Sequence, residues 1–163
     1  MAANQKPADA TPAFVMLHRA GIDFTPHSYV HDPRAESFGM EAARALGVEP
    51  ARVFKTLMAV VDGELCVGVV PVMGSLDLKA LAEALGGKRA QMADAAQAQR
   101  ATGYVIGGIS PVGQKKQHRT VVDRSASRWE TVFVSGGRRG LEAEVRPEDL
   151  VRVTGAVTAR IAR

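Results

Sequence analysis

Residues 52–72, RVFKTLMAVVDGELCVGVVPV, carry two apolar runs joined by Asp62-Gly63. Asp-Gly between two such runs is a hairpin signal, because a two-residue turn needs φ > 0 at both positions. The stretch predicts paired strands over 52–61 and 64–72. VFKTLMAVV is apolar on both alternating faces, as expected of a central strand covered on both sides. Working outward, Thr11-Pro12 places a capping hydroxyl before a first-turn proline and opens a helix that stops at Gly21. FTPHSYV, 24–30, reads as a strand that Pro26 assigns to an edge. A second helix spans 39–46 and stops at Gly47. LDLKALAEAL, 76–85, has leucines at helical spacing and ends at Gly86. Asp94 caps a fourth helix, AAQAQRA. TVVD, TVFVS and LEAEV read as three more short strands, and Pro147 opens a final helix. Hairpins mixed with single helices predict an α+β domain, not a doubly wound sheet. With no repeat or linker, residues 11–163 form one domain behind a disordered tail over 1–10.

Composition narrows the function. The 163 residues are 46% hydrophobic and 23% charged, the profile of a globular domain with a substantial core. No apolar run approaches the ~20 residues of a membrane span. The polar amino terminus, MAANQKPADA, lacks a signal peptide's apolar stretch, which predicts a cytoplasmic protein with no membrane association. The single cysteine, Cys66, excludes an internal disulfide and a thiolate zinc site. It sits in LCVGVV and reads as a small buried hydrophobe. His27 and His31 flank a strand end and share no helical face, so no metal is expected. The net charge of +4 is uneven: residues 86–139 hold ten basic residues and three acids, a net +7. Such a segment suits a polyanion or a solvated basic face. Aromatics at 5% argue against a stacking platform for single strands.

Within that segment lies Thr102–Lys116, TGYVIGGISPVGQKK, with four glycines and a terminal lysine pair. Glycines let a ligand approach the main chain, whose amides can converge on an oxygen. The alternative is a turn followed by two solvated lysines. Gly108 and Gly113 have P-loop separation, but Gln114 stands where the lysine belongs and no hydroxyl follows. G-x-G-x-x-G is also absent from the loop, so neither a nucleoside triphosphate nor a dinucleotide cofactor is expected. Lys115 and Lys116 are candidates for contact with a nucleic-acid backbone.

Lys55 is the only charge in 53–61. A buried ammonium is costly unless paired or neutralised. Either Lys55 snorkels or pairs with a core carboxylate, or it faces a pocket as a cation for substrate oxygen. Thr56 follows and points to the opposite face, with its amide still able to contribute. Ser135 opens SGGRRG, either as a pocket-rim hydroxyl or as a turn serine. No G-x-S-x-G elbow occurs, and His18, His27, His31 and His118 have no evident nucleophile to activate.

FKTLMAVVDGEL, PVMGSLDLKALAEALGGKRAQMAD, QRATGYVIGGISPVGQKK and FVSGGRRGLEAE together resemble the YbaK/EbsC family, over nearly the whole chain. Within it the chain is most similar to the cysteinyl-tRNA(Pro) deacylase branch. The resemblance implies a mixed, partly barrel-like β-sheet surrounded by helices. It implies hydrolysis in trans of mischarged Cys-tRNA(Pro), with aminoacyl-tRNA(Pro) and prolyl-tRNA synthetase as partners and no cofactor. Alternatives are an Ala-tRNA(Pro) deacylase and a non-catalytic module binding tRNA ends or the synthetase. The oligomeric state stays open, a monomer included. Lys55 corresponds to the family lysine required for activity, and Thr56 follows it in the pocket. Tyr29 and Phe38 correspond to pocket aromatics. Gly107, with Gly108 beside it, corresponds to a backbone contact near the ester, and Ser135 to the pocket serine. Glu142 stands where that branch has Asp.

Overall fold

The structure, a computed structural model, describes residues 10–163. The tail expected over 1–10 lies outside the described residues apart from Ala10. In chain order the elements are α1 (Pro12–Arg19), β1 (Phe24–Ser28), α2 (Phe38–Leu46), β2 (Phe54–Val61), β3 (Glu64–Pro71), α3 (Leu78–Ala84), β4 (Ala90–Met92), α4 (Ala95–Thr102), β5 (Arg119–Asp123), β6 (Val132–Arg138), β7 (Leu141–Val145), α5 (Pro147–Thr154) and β8 (Val157–Ala159). The α+β expectation holds. The strands form two sheets, neither closed: β1-β7-β6, and β4-β2-β3-β5-β8.

The hairpin forms as its sequence requires. Asp62 and Gly63 take φ of 50° and 84°, and Phe54–Val61 pairs antiparallel with Glu64–Pro71. Helix starts follow the caps: Thr11, Ser37, Asp77 and Asp94 each accept a main-chain N–H from three residues on. Gly47 closes α2 in the left-handed conformation. Pro26 sits in β1, an edge strand.

The five-stranded sheet is buried on both faces, which explains its lack of polar alternation. Val67 and Val69 of β3 join Phe14, Leu17, Val134 and Leu150 in one core. Cys66 and Val70, of opposite parity, join Leu81, Leu85 and Ile161 in another. Each fully buried leucine stabilises the fold by roughly 1.5–3 kcal/mol. A third cluster packs Ala42 and Ala43 of α2 on Val53, Val72 and Phe133. Asp123 anchors the chain's end. Its carboxylate accepts the N–H groups of Ile161 and Ala162 (both 2.9 Å) and of Ser125 (3.1 Å).

The two sheets meet at one bridge, Val53 with Phe133. Beyond it their pairing stops, and a cavity opens.

Candidate active site

The cavity measures about 340 Å³ and draws its walls from seven separate segments. The strand β2 contributes most, and the reason lies in its hydrogen bonding. Met58 C=O accepts from Ala93 N–H (3.1 Å) and Asp62 N–H donates to Arg89 C=O (2.9 Å), so the even-numbered residues of β2 turn their main chain toward β4. Pairing with β4 covers only Ala59–Val61. Thr56 therefore presents its N–H and C=O at an edge that β4 does not reach. The cavity wraps this edge, so Lys55 and Thr56 both border it although adjacent strand side chains point apart.

Across the cavity, Ser135 of β6 and Glu142 of β7 are register partners. Directly opposed residues put their side chains on one face, about 5 Å apart. Phe38 enters from the first turn of α2, which Ser37 caps. Its ring lies on Gly107, where a Cβ would sit 2.8 Å from it. On the same ring rests the Arg139 guanidinium, 5.0 Å from the centroid, whose Nε also donates to Ile106 C=O (2.8 Å). Met92, Ala98, Ile106 and Ile109 supply apolar wall.

The electrostatics favour neutral groups. Glu142 is 7% exposed and accepts no hydrogen bond among the described residues, and burial pushes its carboxyl up to about 8. Burial also lowers the Lys55 ammonium. Among the described residues, no ion pair within 4 Å joins the two groups or engages either of them. Thr56 Oγ1 is the one side-chain oxygen shut off from solvent altogether and without a hydrogen-bond partner among the described residues. An orphaned buried hydroxyl normally costs about 1–3 kcal/mol. Ser135 Oγ accepts from Gly137 N–H (3.1 Å), and the bordering residues include no histidine and no cysteine.

A family model described as the aminoacyl-tRNA editing domain matches residues 33–153, which span every wall of this cavity. The chain belongs to the aminoacyl-tRNA editing domain family. This editing domain is 34% identical over 164 residues to EbsC of Enterococcus faecalis, a candidate Cys-tRNA(Pro)/Cys-tRNA(Cys) deacylase, covering 98% of the chain and 97% of that protein. It is 33% identical over 100 residues to a proline–tRNA ligase of Maridesulfovibrio salexigens, covering 61% of the chain and 17% of the ligase. A solved candidate trans-editing enzyme for prolyl-tRNA synthetase superposes with a TM-score of 0.83 at 23% identity, covering 98% of the chain and 99% of that structure, and shares the fold. The family agrees with the expected enzyme class, an aminoacyl-tRNA deacylase.

Of the residues singled out in the sequence, the editing domain gathers Phe38, Lys55, Thr56, Gly107, Ser135 and Glu142 around one cavity. Tyr29 does not border it. It stands close enough that burial first, then the Glu142 and Glu41 carboxyls, push its phenol up to about 12. Gly108 does not border the cavity either. Its N–H donates to Val105 C=O (2.8 Å), and a Cβ there would lie 2.7 Å from Arg138 Cα, so it serves close packing of the loop on the β6–β7 turn. Lys115 and Lys116 are exposed and border no part of the cavity. Sequence reading missed Met92, because β4 was not foreseen, and Arg139, whose signal was its place in SGGRRG.

Proposed function

We propose that this chain deacylates mischarged Cys-tRNA(Pro) in trans, the substrate's own thiol supplying the nucleophile. The supporting observation is the cavity's chemistry: an apolar chamber holding a lysine, an orphaned threonine hydroxyl and a neutral carboxyl, bordered by no imidazole or thiol. Cys66 supports the reading from outside. It is buried in the second core, and burial pushes its thiol up to about 11, so it stays protonated.

In the proposed step, the sulfur of the charged cysteine bonds to the ester carbonyl carbon and the bond to the ribose oxygen breaks. The thiol proton ends on that oxygen, leaving a cyclic thiolactone and free tRNA. Intramolecular attack needs orientation above all, and effective molarities can reach ~10⁵ M or more. Lys55 and Thr56 orient the ester. For the developing oxyanion, Ile106 N–H already donates to Gln99 Oε1 (2.9 Å) and Gly108 N–H to Val105 C=O, whereas the Gly107 N–H between them has no acceptor among the described residues. Prolyl-tRNA synthetase is the partner this activity calls for, since cysteine and proline are too similar in size for a binding pocket to separate well.

The test is deacylation of tRNA(Pro) charged with Cys, Ser, Ala or Pro. Cys-tRNA(Pro) is expected to be cleaved at least a hundredfold faster than Ser-tRNA(Pro), because a hydroxyl is a far weaker nucleophile at neutral pH. Cys66→Ser should keep full activity and Lys55→Ala should lose it while remaining folded. Equal rates on Ser and Cys would overturn the thiol mechanism. Preference for Ala-tRNA(Pro) would assign the cavity to another amino acid.

A further inference from the structure

A second depression lies at the other end of β4, outside the cavity. Lys79 of α3 and Lys88 and Arg89, just before β4, border it together with Asp62. Asp62 is already engaged: its two carboxylate oxygens accept the N–H groups of Lys88 and Arg89, each at 3.0 Å. Those bonds fix the backbone of the basic pair against the hairpin turn, so the two side chains leave from a rigid base. All three cations are exposed. None makes an ion pair or a side-chain hydrogen bond among the described residues. Three positive charges thus stand around one carboxylate, each of whose oxygens already accepts a main-chain N–H.

The position adds the direction. From Arg89 the chain runs through Ala90 and Gln91 to Met92, which borders the cavity. Three strand residues at ~3.3 Å each put the patch about 10 Å from the cavity wall. Over that length one strand of a nucleic-acid helix presents about three phosphates. β4 is an edge strand, so no further strand obstructs the path.

We infer that Lys79, Lys88 and Arg89 form a phosphate-binding patch that holds the RNA backbone next to the aminoacyl end seated in the cavity. The inference rests on the proposed tRNA substrate. It places the backbone along β4, whereas the lysine pair Lys115-Lys116 adjoins Thr102 at the far end of α4, where Lys115 N–H meets Thr102 C=O (2.9 Å).

The experiment measures binding and chemistry separately. Uncharged tRNA(Pro) transcript is titrated against the wild type, against Lys79→Glu/Lys88→Glu/Arg89→Glu, and against the milder triple Gln variant, between 50 and 200 mM salt. Each phosphate contact contributes about −0.7 to −0.9 to the slope of log K against log salt. The patch predicts at least a tenfold weaker Kd for the Glu variant, a slope shallower by about 2–3, and a smaller change of the same sign for Gln. Unfolding midpoints should be unchanged. On Cys-tRNA(Pro), KM should rise while kcat holds. Wild-type affinity and slope in both variants would overturn the patch, as would wild-type failure to bind RNA. Loss of synthetase binding with RNA binding intact would make it a protein-docking surface and overturn the RNA assignment. If the wild type binds tRNA through the patch and deacylates nothing, the patch stands and the proposed function falls.

Discussion

Glu142 shows how one side chain ties stability to pH. Its carboxyl is buried without a hydrogen-bond partner among the described residues, and burial pushes its pKa from 4.5 up to about 8. The folded protein then keeps a proton that the unfolded chain releases above about 4.5. Stability tied to this group is intact below that point and falls as pH rises toward 8, by at most about 1.4 kcal/mol per pH unit. Glu142→Gln removes the dependence. Urea midpoints at pH 5 and pH 8 should converge for the Gln variant relative to wild type, and at pH 8 the variant should be the more stable. An identical pH slope in both proteins would show that Glu142 ionises normally.

At the scale of elements, the glycine loop and α2 depend on each other. Gly107 sits at φ 87°, and any Cβ would strike the Phe38 ring. Gly103 sits at φ 82°, but its imagined Cβ meets only Lys115 side-chain carbons at 3.8–3.9 Å. Both Ala variants incur backbone strain, together with a steric penalty for Gly107 alone, each effect being about 1–3 kcal/mol. Gly107→Ala should lose stability and at least tenfold in deacylation, and Gly103→Ala should lose stability while retaining activity. Denaturant midpoints and single-turnover rates on both variants check this. Elements with strong local chemistry were legible in the sequence: the Asp62-Gly63 turn, the caps Thr11 and Asp94, and Pro26 at an edge; the caps Ser37 and Asp77 emerge only from the structure. The strands β4 and β8 were not. Each has only three residues, too few for alternation to register as a pattern, and each exists because a neighbouring strand offers it partners. The site divides likewise. Lys55 was visible as a lone charge in an apolar strand, and Phe38, Ser135 and Glu142 through family likeness. Met92 joins the cavity by tertiary approach that no local pattern encodes, Arg139 reaches the Phe38 ring from the SGGRRG turn, and Gly108 packs on the β6–β7 turn beside a Gly107 that borders the cavity, a difference between neighbouring glycines that the sequence does not display.

For the whole molecule, the seam matters more than either sheet. The sheets touch through one backbone bridge, Val53 with Phe133, and the cavity opens directly beyond it. A molecule seated there rests on β2 from one sheet and on β6 and β7 from the other. It therefore acts as a removable staple. Solvent isotope exchange should make this visible. Amides of Thr56 on β2 and Ser135 on β6 should exchange fast in the free protein and slow down together when a non-hydrolysable aminoacyl-adenosine amide binds, while amides deep in β3 should stay unchanged. Slowing on one sheet alone would mean that the ligand leans on a single wall. A joint slowing would give the cavity a mechanical role besides its chemical one: each turnover would briefly weld two leaves of the fold, and product release would part them again.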